Sequence, residues 1–65
     1  MTYTLRTFHV GGFYGNLEEA DSIDALVADF NRRKEAGEFP QPGPIQQVWI
    51  EDENGVEVKD LTIHA

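Results

Sequence analysis

Hydrophobic and polar positions along the chain follow two periods, one of strands and one of a helix. Tyr3 to Val10 (YTLRTFHV) is rich in aromatic, β-branched and Thr residues, which predicts a strand. Gly11-Gly12 predicts a two-residue hairpin turn, where positive φ is needed. Phe13 to Leu17 then returns as a short, glycine-weakened second strand. A helix follows, because Ile23, Leu26, Val27 and Phe30 stand at i, i+3, i+4 and i+7, one apolar stripe. Asp21 or Ser22 caps it, and Asp24 in the first turn suits the helix dipole. Arg32, Arg33 and Lys34 occupy the last turn, the end that favours positive charge, so the basic triplet has a structural explanation. Gly37 is the stop, and Pro40, Pro42 and Pro44 prevent resumption.

Ile45 to Glu51 and Val56 to Ile63 predict a closing hairpin around Asp52-Glu53-Asn54-Gly55. An Asn54-Gly55 two-residue turn would set Ile50 against Lys59 and mix apolar with charged residues on each face. A three-residue loop, Glu53-Asn54-Gly55 with Gly55 left-handed, sets Ile50 against Val58 and Glu51 against Glu57. The hydrophobic pattern favours this second register. Trp49 then falls on the outer face opposite Lys59, whose stem covers its ring. The alternative is that Trp49 packs beneath the proline loop, residues 38–44.

The expected fold is α+β: a ββαββ antiparallel sheet of three to four strands with one helix packed on one face. A sheet order of 2-1-3-4 keeps neighbouring strands antiparallel. The helix stripe should meet Val48, Ile50, Val56 and Val58, with Leu5 or Phe8 alongside; the first strand alternates too poorly to choose its inward face. At 65 residues the chain forms a single domain, 1–65, with marginal stability.

Charge changes the picture most. Twelve acidic residues stand against five basic ones, for a net charge of −7. Glu18, Glu19, Asp21 and Asp24 form one basic-free stretch; Glu51, Asp52, Glu53, Glu57 and Asp60 form another, relieved only by Lys59. Such clusters repel themselves, so they either keep a small domain soluble or meet a partner that normally receives a polyanion. Strong acidity argues against direct binding to nucleic acid or to an anionic membrane. No apolar stretch approaches the roughly 20 residues of a membrane span, and no signal peptide is visible. The absence of cysteine excludes a disulfide staple and fits a reducing cytoplasm.

Catalytic and metal chemistry find little support. His9 and His64 read as polar strand residues, and no Ser-His-Asp set has a nucleophile turn. Gly11, Gly12 and Gly15 do not lead directly into a helix as a phosphate cradle does. Asp52-Glu53-Asn54-Gly55 lacks the EF-hand length and its closing Glu. The chain reads as a non-enzyme with no cofactor and no metal.

Two stretches resemble a known family. His9-Val-Gly-Gly-Phe-Tyr-Gly-Asn-Leu-Glu-Glu-Ala-Asp21 is similar to the opening domain of ArdA antirestriction proteins, where a strand and glycine turn lead to an acidic-Ala-acidic stretch before a helix. Gln47-Val-Trp-Ile-Glu-Asp-Glu-Asn-Gly-Val56 resembles that family's later strand with its acidic-Gly turn. The resemblance spans roughly residues 5–57, without the further domains of full-length members. It implies a DNA mimic that occupies the DNA groove of a type I restriction enzyme. In size and acidity the chain also resembles phage-encoded anti-CRISPR proteins of type I systems.

The expected function is therefore an acidic inhibitor in the host cytoplasm that excludes target DNA from a host defence complex with a basic surface. Carboxylates two residues apart on a strand lie about 6.8 Å apart, comparable to the phosphate spacing of one DNA strand. Glu51, Asp52, Glu53 and Glu57 would form one edge, Glu18, Glu19, Asp21 and Asp24 the other, and Trp49 an anchor. The alternative is a small interaction module or structural phage protein that adds a sheet edge to its partner.

Overall fold

A computed structural model describes residues 1–40 and 43–62. Pro42, Ile63 and His64, each part of an expectation above, lie outside the described residues. The strands are β1 (Tyr3–His9), β2 (Phe13–Ala20), β3 (Ile45–Glu51) and β4 (Glu57–Asp60), and the helix α1 (Ile23–Glu35) separates the two hairpins. They form one antiparallel sheet in the order β2-β1-β3-β4, with the helix against one face.

The helix obeys its sequence signals. Ser22 is the N-cap, its hydroxyl accepting from the Ala25 N–H at 3.1 Å. Asp24 lies in the first turn and Arg32, Arg33 and Lys34 in the last. Gly37, at φ +82°, turns the chain away, while the Gly37 and Glu38 N–H groups bond the Lys34 and Arg33 carbonyls. Leu26 and Phe30 are buried against Leu5, Val48 and Ile50, with Ile23 and Val27 at the margin. Phe39 closes this core, stacked on Phe30 at 5.2 Å between centroids. No periodicity marks Phe39, because it reaches the core from an irregular segment just past the helix stop.

Leu5 and Thr7 give β1 its inward face, opposite Ile50 and Val48; Phe8 faces the other way. Three local expectations are corrected. The first hairpin has a three-residue loop, Val10-Gly11-Gly12, with His9 paired to Phe13 and both glycines at positive φ. Strand β2 does not stop at Leu17 but runs to Ala20 through a bulge opposite Leu5 and Arg6, with Leu17 packed on the core. Past it Glu18 pairs with Leu5 and Glu19 with Thr4, and both carboxylates remain exposed.

The closing hairpin holds the third correction. The loop is Glu53-Asn54-Gly55 with Gly55 at φ +80°, and Glu51 does pair with Glu57. Asp52 organises it: its N–H bonds the Val56 carbonyl, and its Oδ1 accepts from the Asn54 and Val56 N–H groups. Past that pair a bulge leaves Val58 unmatched, so Ile50 faces Lys59 and Trp49 faces Asp60. Val56 and Val58 are consequently 57% and 40% exposed rather than core. The hydrophobic register fails because β4 is a four-residue edge strand, and the core is already filled from α1, Phe39 and the two central strands.

Candidate interaction surface

The helix covers one face of the sheet and leaves the other open. Residues directly paired across strands share a face, so the open face can be read off the register in rungs. Thr4 pairs with Glu19 on β2 and with Glu51 on β3, and Glu51 pairs with Glu57 on β4. Three carboxylates thus lie in a single rung across all four strands. The next rung holds Asn16, Arg6, Trp49 and Asp60, and the third holds Tyr14, Phe8 and Gln47.

Both acidic clusters reach the same end of the sheet. Antiparallel pairing sets the close of β2, the close of β3 and the start of β4 side by side. Asp21 and Asp24 continue from β2 into the first turn of the helix, and Asp52 and Glu53 continue from β3 into its loop. Glu18, Glu19, Asp21, Asp24, Glu53 and Glu57 are exposed there. The along-strand spacing of about 6.8 Å does not apply, since Glu53 lies in the loop and not on a strand. The carboxylates are set across strands instead, in steps of about 4.8 Å.

Not every acid at this end is available. Glu51 accepts from Trp49 Nε1 at 3.0 Å and from Arg6 Nη1 at 3.2 Å, and it is half-buried. Asp52 is occupied by its own loop. Trp49 sits on the outer face as expected, but at 9% exposed it is no exposed anchor. Tyr14 meets it edge-on at 6.1 Å, and Tyr14 also lies 5.1 Å from Phe8. The expected Lys59 cover is not what the register provides, because Trp49 pairs with Arg6 and Asp60. The Arg6 guanidinium stands 5.6 Å from the Tyr14 centroid, within cation–π range.

Two of the three basic residues at the helix end, Arg32 and Arg33, pair with acids of the chain itself. Asp29, buried on the helix, takes ion pairs from Arg32 and, at 2.7 Å, from Arg33. Arg33 also reaches Glu38 and the Leu17 carbonyl. Its hydrogen bond to Asp29 is the main cause that lifts the Arg33 pKa above its ordinary value, so it stays charged throughout any working range. His9 Nε2 lies 2.7 Å from Thr7 Oγ1, in keeping with a polar strand residue. No metal-ligating cluster or pocket occurs among the described residues.

Sequence reading missed Arg6, Phe8 and Tyr14 as parts of this face. The signal lay in the alternation Thr4-Arg6-Phe8, but only the first hairpin's register brings Tyr14 beside it. Compared with known proteins, the chain matches no family model, no curated protein and no solved structure.

Proposed function

We propose that the protein is an inhibitor of a host DNA-targeting defence complex, acting as an acidic DNA mimic on that complex's basic surface. The observation that carries this reading is the rung Glu19-Thr4-Glu51-Glu57, with Glu18, Asp21, Asp24 and Glu53 exposed at the same end. A surface of this kind meets the Lys and Arg residues that would otherwise release counterions on binding DNA. Both stretches similar to ArdA proteins finish in this region, at Glu18–Asp21 and at Glu51–Val56. The target would be a type I restriction enzyme or a type I CRISPR effector complex, with no enzymatic step by this chain.

Duplex DNA binding by such a purified complex, titrated with this protein, tests the reading. Competition raises the apparent Kd for DNA in proportion to added protein, and excess DNA restores binding. If DNA binding by both classes of complex is indifferent to saturating protein, the reading is wrong.

One observation favours a second reading. Strand β4 is an edge with all four residues exposed, Val58 among them, and Val56 stands in solvent just before it. An edge of that kind can add to a partner's sheet through backbone hydrogen bonds. Salt separates the two readings: carboxylate pairing weakens steeply with ionic strength, whereas strand addition is nearly indifferent.

A further inference from the structure

The open face does more than display charge, because it already holds one guanidinium of its own. Arg6 lies between the Tyr14 ring, 5.6 Å from its centroid, and the Glu51 carboxylate at 3.2 Å. Tyr14 nevertheless remains 65% exposed. Two rungs along, Glu19 and Glu57 flank Glu51 on the same face and are exposed themselves. One exposed ring and two exposed carboxylates therefore stand on the same face, two rungs apart, and the internal arginine shows that this face takes a guanidinium.

We infer that this face docks an arginine-rich protein segment and selects arginine over lysine, with Tyr14 as the selecting residue. The inference rests on the proposed binding to a basic partner surface and names which base that surface carries. Charge complementarity alone would treat the two cations alike. A guanidinium is planar, weakly hydrated and able to stack on a ring while its N–H groups bond a carboxylate; an ammonium is a compact, strongly hydrated point charge. The rungs of Tyr14 and Glu19 stand about 13.6 Å apart along the strand direction, four residues of extended chain. One extended peptide can therefore place one arginine on the ring and another on the carboxylates.

The test uses deca-arginine and deca-lysine peptides with the intact protein, followed by the emission of Trp49, the single tryptophan. Deca-arginine should bind about fivefold more tightly than deca-lysine at equal salt. Tyr14→Leu should bring the ratio close to one, whereas Tyr14→Phe, which keeps the ring, should preserve it. Thermal melting of each variant shows that it is folded before its ratio is read. Glu19→Gln with Glu57→Gln should weaken both peptides together. Equal binding of the two peptides by the parent overturns the inference but leaves the proposed function standing, provided both are lost with Glu19 and Glu57. An arginine preference that survives Tyr14→Leu removes Tyr14 from the role and likewise overturns it. Failure of both peptides to bind overturns the inference and counts against the acidic-mimic reading as well.

Discussion

A carboxylate that closes a hydrogen bond inside the fold differs from one that stands in solvent, and Glu51 and Glu57, paired across two strands, are one of each. Glu51 holds both the Trp49 indole and the Arg6 guanidinium. Glu51→Ala would leave two part-buried donors without an acceptor, beside an Arg6 Nε that already has no partner. The expected cost is about 1–3 kcal/mol in denaturant unfolding, with a shift in Trp49 emission. Glu57→Gln should change stability by no more than about 0.5 kcal/mol. Equal effects would show that the two carboxylates are not divided in this way. The division was not legible in the sequence, where Glu51, Asp52, Glu53 and Glu57 are an undifferentiated acidic run. It depends on Arg6 arriving beside Trp49 from a strand some forty residues earlier.

At the scale of elements, the helix and its stops were legible because they rest on local rules. Ser22, the apolar stripe, the basic last turn and Gly37 act within a few residues of one another. The turn at Gly55 was legible for the same reason, since a residue at φ +80° favours glycine. Gly55→Val should therefore cost about 1 kcal/mol or more, through backbone strain alone, because a Cβ there would meet no atom within 4 Å. The registers beyond the turns were not legible. Each strand pairing carries a bulge, at Leu5/Arg6, Phe8/His9 and Ile50/Glu51, and a bulge inserts a residue that alternation cannot count. The consequence is sharpest at Val58, which pattern places in the core and the structure places in solvent. Val58→Thr should leave the melting temperature within about 4 °C of the parent, an effect of about 0.5 kcal/mol or less. A loss of several kcal/mol would mean that Val58 is core after all. Phe30→Ala, in contrast, should cost about 3–5 kcal/mol, because it removes a buried ring stacked on Phe39. A variant that melts like the parent would contradict the packing of α1.

The whole molecule is two-sided: the helix, Leu5, Val48, Ile50 and Phe39 form the core on one side, and the other presents carboxylates and aromatic rings. The charge that supports the proposed function is confined to one end because antiparallel pairing brings Glu18–Asp21 and Glu51–Glu57 together. Sequence reading set the two clusters on separate edges, although the expected order 2-1-3-4 already put β1 beside β3, and it is that neighbouring which brings them together. The most direct measurement is competition for duplex DNA on a type I complex, comparing the parent with a variant carrying Glu19→Gln, Glu53→Gln and Glu57→Gln. This variant spares Glu51 and takes the net charge from −7 to −4. Relief of self-repulsion should hold its melting temperature level or raise it. Its potency against DNA binding should fall about tenfold or more. A folded variant that displaces DNA at parental potency would contradict the central claim that these exposed carboxylates stand in for phosphates.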